Sequence, residues 1–241
     1  SELQAYSLKK MIESLGFEAF FADIEKGKNE KLNLQCAERD VARNAAHKNQ
    51  KQHSCKKLVA RIRGKVVQTR MKKIFSEFRN STGLNTSDAD TQYDDCVIGS
   101  DEVFNCLQKV EWGFSQQLFG NVQNADNVIT YAASCGFTRV EMLSEELKKA
   151  ISGALGKLSA ISVRDTNTAH FIQNLSSKEF VYNLDPVAVG DFTAEIARAK
   201  LEYKLPARYC IIYAYSNRIS SPEEIRAIRD YCDKRNLKMI A

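Results

Sequence analysis

With 241 residues, 44% of them apolar, and a net charge of +5, the chain suits one large or two small globular domains. No run of roughly 18 apolar residues occurs, so no transmembrane helix is expected, and no basic segment leads into an apolar one as in a secretory signal. The seven cysteines (Cys36, Cys55, Cys96, Cys106, Cys135, Cys210 and Cys232) are odd in number, irregularly spaced and form no Cys-x-x-Cys pair, which speaks against a zinc ribbon or a thioredoxin motif and for a reduced, cytoplasmic protein.

Leu8, Met11, Ile12 and Leu15 fall at helical spacing, so residues 1–15 are predicted to form a helix that stops at Gly16. Residues 17–24 read as a strand. A helix followed at once by a strand suggests a chain that begins in mid-unit, with a strand and its turn expected before Ser1. Residues 26–80 read as a basic helical insertion, helical around 56–78. From Glu38 to Arg79 there are thirteen Lys or Arg against three acids. Such a block is a solvated helix face or mobile segment, or it holds anionic lipid or nucleic acid. Residues 81–92 read as a turn-rich linker.

The pattern then becomes regular. Strands are expected at 95–98, 128–133, 160–163 and 180–182. Helices are expected at 144–158, with Glu145 and Glu146 favourably placed in the first turn, and at 166–175. Alternating short apolar runs and helices predict an α/β fold with a parallel sheet covered on both faces. A second unit is expected from residue 201, with a strand at 209–215, a helix opening on Ser221-Pro222-Glu223-Glu224, and a strand at 237–241. The expected organisation is therefore an N-terminal domain over 1–200 and the truncated start of a second over 201–241.

Familiar catalytic motifs are missing: there is no phosphate-binding Gly-x-x-x-x-Gly-Lys-Ser/Thr, no Gly-x-Gly-x-x-Gly and no Gly-x-Ser-x-Gly. His53 and Cys55 are the one pair at metal-ligand spacing, and no second pair supports them, so no metal is expected. What remains lies at strand ends, the edge where open α/β sheets bind ligands. Ser100 and Asp101 follow the first regular strand, Ser134 follows the next within Ala-Ala-Ser-Cys-Gly, and Arg164 follows the third. An arginine there grips a phosphate or carboxylate, or it pairs with Asp165 or a neighbouring helix. Asp185, before Pro186, is a turn residue or faces the same cleft. Together these groups suit an anionic or polyhydroxyl ligand.

In order, these pieces resemble the polysaccharide pyruvyl transferase family. The matching runs are Leu3-Gln4-Ala5-Tyr6, Tyr93-Asp94 with Ile98-Gly99-Ser100-Asp101, Thr130 to Gly136, Ile161-Ser162-Val163-Arg164-Asp165, and Leu184-Asp185-Pro186, spread over residues 1–187. The resemblance implies two Rossmann-like domains arranged as in B-type glycosyltransferases, with the second only partly present. It implies transfer of the enolpyruvyl carbons of phosphoenolpyruvate, a donor substrate rather than a cofactor, onto two hydroxyls of a sugar or lipid-linked oligosaccharide in a cell-surface polysaccharide precursor. Arg164 would hold the anion, Asp101 and Asp185 would orient or deprotonate the sugar, and Ser100 and Ser134 would line the pocket. The family's Arg-x-His-type segment has no match in residues 201–241. Peripheral contact with an anionic inner membrane face through 38–79 fits the basic block. The alternatives are a nucleotide-sugar glycosyltransferase and a non-enzymatic anion-binding module; few aromatics interleave with the cations, so nucleic acid is not the expected partner.

Overall fold

The computed structural model describes residues 2–27, 32, 55–84, 91–108, 113–198, 205–214, 219 and 221–240. The chain forms a mixed α/β structure in two compact units, Ser1–Asp191 and Phe192–Ala241.

The first unit opens with helix α1 (Glu2–Ser14), followed by a long helix α2 (Cys55–Thr82). Strand β1 (Tyr93–Gly99) then pairs in parallel with β2 (Ala125–Tyr131), in the register Cys96↔Val128, Ile98↔Thr130 and Gly99↔Tyr131. Helix α3 (Glu145–Leu155) leads to β3 (Ser162–Val163), and helix α4 (Thr166–Leu175) to β4 (Val181–Tyr182), again a parallel pair. Parallel bridges Ile129↔Ala160 and Ala133↔Val163 join β2 to β3. The order across the unit is therefore β1-β2-β3-β4, and all four strands end at one edge.

The β2–β3 seam is completed by side chains where the ladder is thin. Thr130 Oγ1 accepts from the Ser162 N–H at 2.8 Å and donates to the Ser162 carbonyl, while Ser162 Oγ accepts from the Ala132 N–H at 2.8 Å. Ala132 sits at φ 48°, so the chain turns sharply there and its amide points to a side chain rather than along a regular ladder.

The core lies on the face of Ile98 and Val128. Leu147, Ile151 and Leu155 of α3, Phe171 and Ile172 of α4, and the stacked pair Phe104–Phe119 fill it. With Ala154 of α3 and Thr168 and Leu175 of α4, those buried positions recur at three- and four-residue spacing, which is why each helix has one buried stripe. Ser144 and Asp165 cap the two helices by accepting from the Leu147 and Thr168 amides, as their sequence positions suggest. On the opposite face of the sheet Val97, Ile129 and Tyr131 are only half buried. After β4 a short helix α5 (Pro186–Val189) packs on α1.

The second unit contains helix α6 (Thr193–Arg198), strand β5 (Tyr209–Ile211), helix α7 (Pro222–Lys234) and strand β6 (Lys238–Ile240). The strands pair in parallel around the helix, and α7 opens with a full capping box between Ser221 and Glu224.

One expected element is absent. Residues 17–24 are not a strand; Phe17, Phe20 and Ile24 are exposed, and Phe20 lies against the Tyr93 ring. Apolar alternation marks a segment as able to extend, but a strand also needs a ladder partner, and β1 pairs with β2. The helices α5 and α6 are too short to announce themselves by periodicity. The linker expected at 81–92 falls largely on 85–90, outside the described residues, as do His53 and most of the basic stretch before Cys55. Among the described residues no helix is long and apolar enough to cross a membrane, and no cluster of three or more His, Cys, Asp or Glu has metal-site geometry.

Candidate functional site at the carboxyl edge of the sheet

Parallel order brings the ends of β1 to β4 together, and with them the residues that follow each strand. Asp101 comes from the β1 end, Arg164 from the β3 end and Asp185 from beyond β4. The Arg164 guanidinium donates to Asp185 Oδ2 at 2.7 Å through Nη1, and its Nη2 lies 3.5 Å from Asp101 Oδ1. One cation thus bridges two carboxylates from different strands. Arg164 is 22% exposed and Asp185 28%, whereas Asp101 is 45% exposed and is the looser partner.

Asp101 adopts φ 73°, in the left-handed region that few non-glycine residues occupy. Strain of that kind gathers where function dictates the geometry. Beside it, Ser100 is 5% exposed and its Oγ has no hydrogen-bond partner among the described residues. A buried hydroxyl without a partner is uncommon, because its desolvation goes uncompensated.

Asp185 is held on three sides. Besides Arg164, it caps α5 by accepting from the Val187 N–H, and it accepts from Gln4 Nε2 of α1. Ser7, one turn on, donates to the Pro186 carbonyl at 2.6 Å. Sequence reasoning named Gln4 in a motif without giving it a role. The available signal was that Gln4 and Ser7 are polar residues placed one turn ahead of Leu8 and Met11 on the apolar stripe of α1. A second residue not singled out is Tyr131 at the end of β2. Partial burial, reinforced by the Asp185 carboxylate, pushes its phenol above the ordinary value and keeps it a proton donor at neutral pH.

Ser134 and Asp165 belong to the scaffold beneath this triad. Ser134 is buried; its Oγ donates to Asp165 Oδ2 at 2.7 Å and accepts from the Gly136 N–H at 3.1 Å. Asp165 also caps α4 through the Thr168 amide. With its oxygens used in this way, Asp165 leaves Arg164 to the more distant Asp101 and Asp185. The Ser134 amide donates to the Asp101 carbonyl, and Phe104 donates to the Ser134 carbonyl, so the β1 and β2 loops are tied through their backbones. Asn105, bridging Glu102 and Thr138, and Asn167, donating to the Gly136 and Thr138 carbonyls, complete the tie.

No family model, curated protein or solved structure matches this chain. The chemistry of the edge is therefore read from its own residues. Two carboxylates, one bridging arginine, an unpartnered buried hydroxyl and a protonated phenol can bind hydroxyls, receive a proton from one of them, and present a guanidinium to an anion that displaces a carboxylate.

Cys135, although it sits in the same loop, is no nucleophile. Burial, with added repulsion from Asp165 and Glu102 against an opposing hydrogen bond from Thr168, pushes its thiol up to about 11. Native protein at neutral pH should resist alkylation at Cys135 until it unfolds. Because the folded thiol titrates at about 11 and an unperturbed one at 9.0, its contribution to stability is complete below pH 9.0 and is lost as pH rises toward 11. Between those limits the native protein should lose roughly 2 kcal/mol relative to a Cys135→Ala variant, measured by denaturant melts at stepped pH.

Proposed function

We propose that the chain is a transferase of the polysaccharide pyruvyl transferase type, acting at the edge formed by Asp101, Arg164 and Asp185. The observation that supports it is the single guanidinium shared between two carboxylates at the ends of parallel strands. The larger unit would then be a Rossmann-like domain of the kind found in B-type glycosyltransferases. The donor is phosphoenolpyruvate and the acceptor a sugar with two neighbouring hydroxyls.

In the reaction the C2 carbon of the donor receives both acceptor oxygens, phosphate leaves, and the two hydroxyl protons end on C3 and on phosphate. Arg164 takes the donor's phosphate or carboxylate, which costs it one of its present partners. Asp101, farther away and more exposed than Asp185, is the one released. Asp101 is then the carboxylate placed to take the acceptor proton. Asp185 stays with Gln4 and the α5 amide and orients the second hydroxyl. Ser100 offers its free Oγ to the ligand, and Ser134 holds the loop below.

The test is titration calorimetry with phosphoenolpyruvate on the native protein, on Asp101→Asn and on Arg164→Ala. Removing the competing charge of Asp101 should tighten donor binding several-fold while abolishing transfer, and Arg164→Ala should lose donor binding altogether. No binding of phosphoenolpyruvate to any form, together with stabilisation by a nucleotide sugar, would replace this reading with glycosyl transfer.

A further inference from the structure

From residue 67 to residue 77 every side chain of α2 is exposed. Four of these are large and apolar: Val67 at 59%, Met71 at 43%, Ile74 at 47% and Phe75 at 40% exposure. Their spacing of four, three and one puts them on one stripe of the helix, continued by Phe78. Cations flank the stripe. Arg70 lies on one side and Lys72 on the other by helical position, and over its whole length the helix carries nine Lys or Arg against the single acid Glu77.

We propose that this face of α2 docks on an anionic phospholipid surface, with Val67, Met71, Ile74 and Phe75 entering the boundary between headgroups and acyl chains. Interfacial helices present this combination: an apolar stripe that leaves water, bordered by long cationic side chains that reach lipid phosphates while their stems follow the apolar surface. Nucleic acid would account for the cations but not for four large apolar side chains on consecutive turns, since phosphate contacts call for donors rather than apolar groups. A second copy of the chain would account for the stripe but would set nine cations against nine across one helix pair. A negatively charged lipid surface accommodates both features.

The placement also links the surface to the triad. The last turn of α2 is fastened to α1 by Arg79, 2.8 Å from Glu2, and by the edge-on contact of Phe78 with Tyr6, their ring centres 5.6 Å apart. From its other side α1 sends Gln4 to Asp185. The docking inference stands on α2 alone and survives if the transferase reading fails.

The test is flotation of the whole chain with vesicles of phosphatidylcholine plus phosphatidylglycerol, and with vesicles of phosphatidylcholine alone. The chain should float with the anionic vesicles and not with the neutral ones. Ile74→Glu/Phe75→Glu should lower the bound fraction roughly tenfold or more without changing the melting temperature, because both side chains are exposed. Arg70→Gln/Lys72→Gln/Lys73→Gln should weaken binding comparably, and added salt should do the same. Absence of anionic-vesicle binding, equal binding to both vesicles, or wild-type binding by Ile74→Glu/Phe75→Glu would overturn the proposal. So would a salt-sensitive complex with RNA that the apolar variant leaves intact, or a dimer that the apolar variant dissolves in a chain that does not float.

Discussion

Gly99→Ala is expected to leave little of the larger unit folded. Gly99 closes β1 at φ 135°, a conformation open to glycine and strongly disfavoured for any residue with a Cβ. Its register partner is Tyr131, and an added Cβ would stand 2.1 Å from the Tyr131 carbonyl oxygen. Neither atom can swing aside, because the Cβ position is set by the Gly99 backbone and the oxygen is itself backbone of the paired strand. Relief would require β1 and β2 to separate where the loops carrying Asp101 and Ser134 begin. The combined strain and lost pairing should cost at least about 3–4 kcal/mol, a large share of a typical domain's stability. Circular dichroism and soluble yield would report the loss. Gly153→Ala is the control: it lies within α3 with nothing within 4 Å of the new Cβ, and should stabilise by about 0.5–1 kcal/mol. A Gly99→Ala protein that melts like the native one would mean that β1 and β2 do not meet in this register.

Arg164→Ala is expected to cost stability as well as donor binding. Its guanidinium is shared by Asp101 and Asp185, and its removal takes that common cation from both carboxylates at a partly enclosed edge. Breaking a fully buried pair costs about 3–5 kcal/mol; with Arg164 still 22% exposed, roughly 2–3 kcal/mol is the reasonable figure. The diagnostic is the double variant. If the loss comes from uncompensated charge, Arg164→Ala/Asp185→Asn should regain a good part of it, although it removes one more ionic group. If the loss comes from packing along the arginine stem, the double variant should be no more stable than the single one. Thermal melts of the four proteins in the cycle separate the two causes.

The parts of this protein that could be seen in its sequence are those set by local chemistry. The helix expected at 166–175 forms over Thr166–Leu175, where Asp165 satisfies the Thr168 amide with no help from elsewhere. Ser221 and Glu224 likewise close their capping box within four residues. The strands ending at Gly99 and Tyr131 were visible as short apolar runs that stop at small residues. The segment 17–24 had the same apolar signal and formed no strand, because strand formation depends on a partner far away in sequence.

The site shows the same division. The sequence alone identified Ser100, Asp101, Ser134, Arg164 and Asp185 as polar groups at strand ends, since parallel α/β order sends every such end to one edge. It could not decide which of them meet. The choice of Asp185 and Asp101 over the adjacent Asp165 as partners of Arg164 depends on α4 and Ser134, which take the Asp165 carboxylate first. The arrival of Gln4 at Asp185 spans 181 positions and follows from how α1 packs on α5. The exposure of the α2 stripe is equally a matter of tertiary structure. The pattern of Val67, Met71, Ile74 and Phe75 would serve as well for a buried helix, and only the packing of the whole unit leaves it facing solvent. Short-range order was therefore written in capping residues and periodicity, while the pairing of charges and the choice of exposed face were decided by contacts that close only when distant segments come together.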